Sequence, residues 1–114
     1  MREKPESAYH LGYIGLLHNV LNETLNGFVP GDLENVIGMN RSKLNELLEH
    51  LHALPDGADV DLDLSQAVAF RNALRETLRQ LGIEEFSTRT GYDFELGEKV
   101  LEELNRFIAA NERA

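Results

Sequence analysis

The polar residues best placed to do chemistry stand in two matched pairs. Asn19 and Glu23 are four residues apart, and Asn72 and Glu76 repeat that spacing fifty-three residues later. A spacing of four puts both side chains on one helical face. Two such faces brought together would let carboxylates share a metal or run acid/base chemistry, as in helical bundles. Those bundle sites add a Glu-x-x-His element, which this sequence lacks. In the alternative, structural role, each Glu accepts from the free N–H groups at the start of a neighbouring short helix, and each Asn bridges a loop. Function has to be argued from a complete site, so Asn19, Glu23, Asn72 and Glu76 are expected to be structural.

The remaining candidates are weaker. His50 and His52 diverge on a helix, and His10 and His18 lie more than two helical turns apart. None has recognisable ligand spacing, so solvent-exposed histidines are expected. Asp56, Asp59, Asp61 and Asp63 suggest a calcium loop, which needs Gly at its sixth position and a bidentate Glu at its twelfth. Counted from Asp59, those positions hold Leu64 and Phe70. No dinucleotide or phosphate loop, nucleophile elbow or zinc-protease motif occurs. The absence of cysteine excludes disulfides and thiolate ligands. The sequence therefore predicts no enzyme: no catalytic residue, no cofactor and no metal.

The matched pairs belong to a longer self-match. Residues Leu11–Leu51 align without a gap on Leu64–Leu104, with ten of forty-one positions identical. A fixed-period repeat dictates architecture. In the first copy, a long helix from Ser7 to Asn26 places Ile14, Leu17, Leu21 and Leu25 on one face, with Gly27 as its left-handed stop. A short helix from Pro30-Gly31-Asp32 to Gly38 follows, then a third helix capped by Asn40 and carrying Leu44, Leu47, Leu48 and Leu51. Pro55-Asp56-Gly57 reads as a turn. Asp59–Asp63 alternates like a strand but has no second run to pair with. In the second copy, Asp63 and Gln66 form a capping box for a helix ending at Gly82. A short helix from Glu84 to Thr90 ends at Gly91, and a sixth helix starts at Asp93. Gly97 inside that helix costs about 1 kcal/mol and implies close packing.

Asp32–Leu44 and Glu85–Phe94 each place a short helix, a glycine, one spacer and a capping Asn or Asp before the next helix. Each copy thus resembles the tri-helical helix-turn-helix unit of many DNA-binding domains. The fold expected is all-α: six helices in two pseudo-twofold-related units sharing one core. It forms a single domain over 1–114, with repeat 1 at about 8–54, a connector at 55–62 and repeat 2 at about 63–110. The resemblance makes Arg41, Ser42 and Lys43 the candidate DNA contacts. The corresponding helix of the second copy instead brings Asp93 and Glu95 forward.

Net charge is −9, from twenty acidic and eleven basic residues. Such a chain repels nucleic acid and anionic membrane and favours a basic protein partner. No apolar run reaches the roughly 20 residues needed to span a bilayer, and the N-terminus lacks the apolar stretch of a signal peptide. A cytoplasmic protein-interaction module is expected, of the acidic regulatory or inhibitor/immunity type, with an unidentified partner. A homodimer is compatible with the sequence. A DNA-associated regulator is the alternative, and a small all-α enzyme with a carboxylate site the third reading.

Overall fold

The computed structural model describes residues 8–27, 31–55 and 57–112. They are mostly helical, in the order β1 (Tyr9–Leu11), α1 (Ile14–Asn22), a π-helical turn (Glu23–Gly27), α2 (Leu33–Ile37), α3 (Arg41–His52), β2 (Val60–Leu62), α4 (Leu64–Thr90) and α5 (Phe94–Glu112). No described helix is long and apolar enough to cross a membrane.

The helical class stands, with two short strands added to it. β1 pairs antiparallel with β2 in the register Tyr9↔Leu62, His10↔Asp61, Leu11↔Val60. Leu11, Val60 and Leu62 are buried, while His10 and Asp61 face solvent. That is the period of two of a half-buried strand, and it overturns two expectations. The 59–63 run does have a partner, and the first helix starts at Ile14 instead of near Ser7, which lies outside the described residues. So do Pro30 and Asp56, from the expected start of the short helix and the connector turn.

The two glycines expected to stop helices differ. Gly27 is not a left-handed stop: it closes the π-helical turn, and the Glu23 carboxylate lies over it, with Oε1 only 2.7 Å from where a Cβ would stand. Gly82 does take positive φ (72°), and its ψ of −175° is not helical, so α4 is broken by a kink at the stop expected there. Counted with its kink, α4 is one of five α-helices among the described residues. The caps read from sequence at Asn40, Asp63, Gly38 and Gly91 are present. Asn40 accepts from the Lys43 N–H at 2.9 Å. Asp63 and Gln66 make both capping-box bonds. Gly38 and Gly91 carry left-handed φ at the ends of α2 and α4.

A single apolar cluster joins all the helices. α1 contributes Leu16, Leu17, Val20 and Leu21, and α4 contributes Phe70, Ala73 and Leu74. α4 packs against both α1 and α5. Tyr9 ties β1 to α5, donating to Glu103 Oε1 at 3.0 Å and meeting the Phe107 ring edge-on. Burial, followed by that bond, raises the Tyr9 pKa well above the usual phenol value.

Candidate functional site

A short helix ends with carbonyls that lack intrahelical partners. Asn19 Nδ2 donates to the Thr90 carbonyl at 2.8 Å, and Asn72 Nδ2 donates to the Ile37 carbonyl at 2.9 Å. Those carbonyls immediately precede Gly91 and Gly38, where the chain turns left-handed. Each asparagine therefore bridges to the turn of the opposite half, and Ile37 and Thr90 are themselves fifty-three residues apart. The expected loop-bridging role is what both side chains perform.

The amide oxygens are also engaged. His18 Nδ1 meets Asn19 Oδ1 at 2.9 Å, and Arg71 Nε donates to Asn72 Oδ1 at 2.7 Å, joined by Arg75 Nη2 at 3.2 Å. Each bracing residue also reaches an outer helix. His18 Nε2 faces His52 Nε2 at 2.5 Å, and Arg71 Nη1 donates to Asn105 Oδ1 at 3.0 Å. In register, His18 and His52 of one half correspond to Arg71 and Asn105 of the other. Burial, and next the neighbouring Arg75, lowers the Arg71 pKa.

The glutamates find different partners from those expected. Neither accepts a backbone N–H among the described residues. Glu23 accepts from Arg89 Nη1 at 3.0 Å, and Glu76 pairs with Arg79 one turn along α4. Arg89 reaches Glu23 from the far end of α4, sixty-six residues along the chain. The hydrogen bond to Glu23 is the main cause of a raised Arg89 pKa. Their side chains are only 13% and 12% exposed, and a guanidinium satisfies such a carboxylate more strongly than an amide does. No bond or shared partner joins Glu23 to Glu76 among the described residues. Thr24 and Thr77 bond back to the Val20 and Ala73 carbonyls, as their helical positions predict.

Arg41, Ser42 and Lys43 are exposed on the first turn of α3. Arg41 Nη1 reaches the Leu25 carbonyl at 3.3 Å. Lys43 lines a cleft of about 310 Å³ together with Glu46 and Asp63. Lys43 thus shares its cleft with two acids.

Sequence reasoning missed a second cleft, of about 510 Å³, lined by Tyr13, Gly15, His18, Leu51, His52 and Tyr92. Tyr13 is 44% exposed and stands edge-on to Tyr92, with ring centroids 6.4 Å apart. Residues from α1, α3 and the loop after α4 meet here. His52 is exposed, as expected, but His18 is half-buried. The available signal was the register of the repeat, which places both histidines where the other copy holds a bonded polar pair. His10 serves elsewhere, between Asp61 at 2.9 Å and Asp59 at 3.1 Å. No group of three or more His, Asp or Glu side chains suited to a metal occurs among the described residues. Comparison of the chain with protein-family models, with curated proteins and with solved structures gave no match.

Proposed function

We propose that the chain is a non-catalytic, cytoplasmic protein-interaction module: an acidic regulator, or an inhibitor of the immunity type, for a basic protein. One observation carries the reading. Arg41, Arg71, Arg75, Arg79 and Arg89 all donate to partners within the chain. Glu34, Glu46, Glu49, Glu95, Glu98 and Glu102 are exposed and enter no ion pair among the described residues. These five arginines brace the fold while the carboxylates present their charge outward, which steers a basic surface toward the protein. Affinity purification from the native cell, with mass spectrometry of what co-elutes, should recover a basic protein whose binding weakens with salt. Replacing Glu95, Glu98 and Glu102 together by Gln should weaken it by at least about tenfold. Recovery of no specific protein, or of one held equally by the neutralised variant, overturns the reading.

The DNA-associated alternative draws support from the Gly38–Asn40 turn leading into α3, which has the form of a helix-turn-helix. Against it stand the acids beside Lys43 and the acidic outer face of α5. A salt-sensitive shift of duplex DNA at micromolar protein, lost when Arg41 and Lys43 become Ala, would favour it.

The same reading takes the molecule as two tri-helical units related by a pseudo-twofold axis, with the bend at Gly82 marking a boundary between helices of the second. The reciprocal bonds of Asn19 and Asn72, each to the other half, support it. Superposition of Leu11–Leu51 on Leu64–Leu104 in an experimental structure is the test.

A further inference from the structure

Bracing an asparagine does not require histidine, since Arg71 and Asn105 do it in the other half of the molecule. In the half that faces the tyrosine cleft, the same two positions hold imidazoles whose Nε2 atoms converge. Their protonation pattern follows from Asn19. Its Nδ2 is committed to the Thr90 carbonyl, so the group facing His18 is the amide oxygen, an acceptor. His18 Nδ1 must supply the hydrogen, which leaves its Nε2 with a lone pair directed at His52. Metal-binding imidazoles are commonly held in this way, with Nδ1–H on an oxygen and the Nε2 lone pair free to bind, and here that lone pair meets a second imidazole in the lining of the cleft.

We propose that His18 and His52 bind a late first-row divalent cation, of the Zn²⁺, Ni²⁺ or Cu²⁺ class, through their Nε2 atoms. Neutral imidazole suits these ions. A Zn–N distance of about 2.0–2.1 Å needs the nitrogens about 3 Å apart, wider than the 2.5 Å between them, so the exposed His52 ring must swing aside to admit the ion. No third His, Asp or Glu joins the pair among the described residues. The ion would keep positions open to water or to an outside donor on the cleft side. This site goes beyond the interaction reading and does not rest on it.

The test uses the full chain stripped with chelator and titrated with Cu²⁺ or Zn²⁺, followed by calorimetry and, for Cu²⁺, electron paramagnetic resonance. Saturation near one equivalent is expected, with two imidazole nitrogens coupled to the copper. His18→Gln and His52→Gln should each weaken binding by at least about tenfold, the lower end of losses at such sites. His10→Gln and His50→Gln should leave it unchanged. His52 is exposed, so its variant keeps the test valid should His18→Gln fail to fold. Absence of saturable binding at millimolar metal overturns the proposal. So does affinity that survives His52→Gln, or imidazole ¹⁵N shifts that ignore added Zn²⁺ and report only a proton shared by the pair. The isolated protein is the reagent, so a negative result leaves the partner question untouched.

Discussion

Gly97 stands in the first turn of α5, where Phe86 occupies the space beside it. A Cβ there would stand 2.8 Å from Phe86 Cζ and 3.0 Å from Leu78 Cδ2. In the repeat register, Phe86 and Gly97 take the places of Leu33 and Leu44, so a larger ring is matched by a smaller neighbour. Gly97→Ala gains about 1 kcal/mol of helix propensity but overpacks the site by about 1–3 kcal/mol. A net loss is expected in chemical denaturation, and it should shrink when Phe86→Leu is added. Equal losses in both backgrounds would show the two sites uncoupled. The asparagine bonds make a second residue-scale prediction. Asn72 is 8% exposed, and Asn72→Ala leaves the Ile37 carbonyl without its donor. A loss of about 1–3 kcal/mol should appear in thermal melts, larger than for half-buried Asn19→Ala. His10 makes a third. Its bond to Asp61, with Asp59 beside it, raises its pKa above 6.5. The folded state holds that proton more tightly, so the stabilisation is complete below about pH 6.5 and is lost as pH rises through the raised value. Replacing His10 by Gln should flatten the fall in melting temperature between pH 6 and 8. An unchanged slope would show that another group carries the pH dependence.

At the scale of elements, the sequence was legible where the signal was local. The N-caps of α3 and α4, the left-handed glycines at 38 and 91, and the leucine stripe of α3 each declare themselves within a few residues. What it hid was nonlocal. β1 is three residues long, and its partner lies about fifty residues away, so nothing near Tyr9 announces a strand. The break at Gly82 was visible, because glycine takes its positive φ without steric cost, although helix resumes directly beyond it. The candidate site was half legible. Spacing identified the Asn and Glu positions and the bridging role of Asn, but long arginines reached the glutamates before any backbone amide did. The His18–His52 contact joins two helices thirty-four residues apart and needed the tertiary fold to appear. A capping prediction belongs here. Asp63→Ala removes both the capping box and the acid at the start of α4, costing about 1 kcal/mol. An unchanged denaturation midpoint would mean the box adds nothing to that helix.

For the whole molecule, opposing electrostatic effects of salt can be separated. A net charge of −9 on a small domain repels itself, while the Arg89–Glu23 and Arg79–Glu76 pairs attract. Both arginines are substantially exposed, 47% and 68% at the side chain, so solvent screens each pair and keeps its contribution small. The carboxylates of α5 act on one another and on the rest of the acidic surface, and no ion pair among the described residues offsets Glu95, Glu98 or Glu102. Repulsion should therefore win. Raising salt from about 10 mM to about 150 mM shortens the screening length from about 30 Å to about 8 Å. The melting temperature should rise over that range. The Gln triple variant of Glu95, Glu98 and Glu102 should start higher at low salt and respond less. A melting temperature that falls with salt would mean the ion pairs outweigh the repulsion. The outward charge would then be too weakly felt to steer a basic partner, and the interaction reading would lose the observation that carries it.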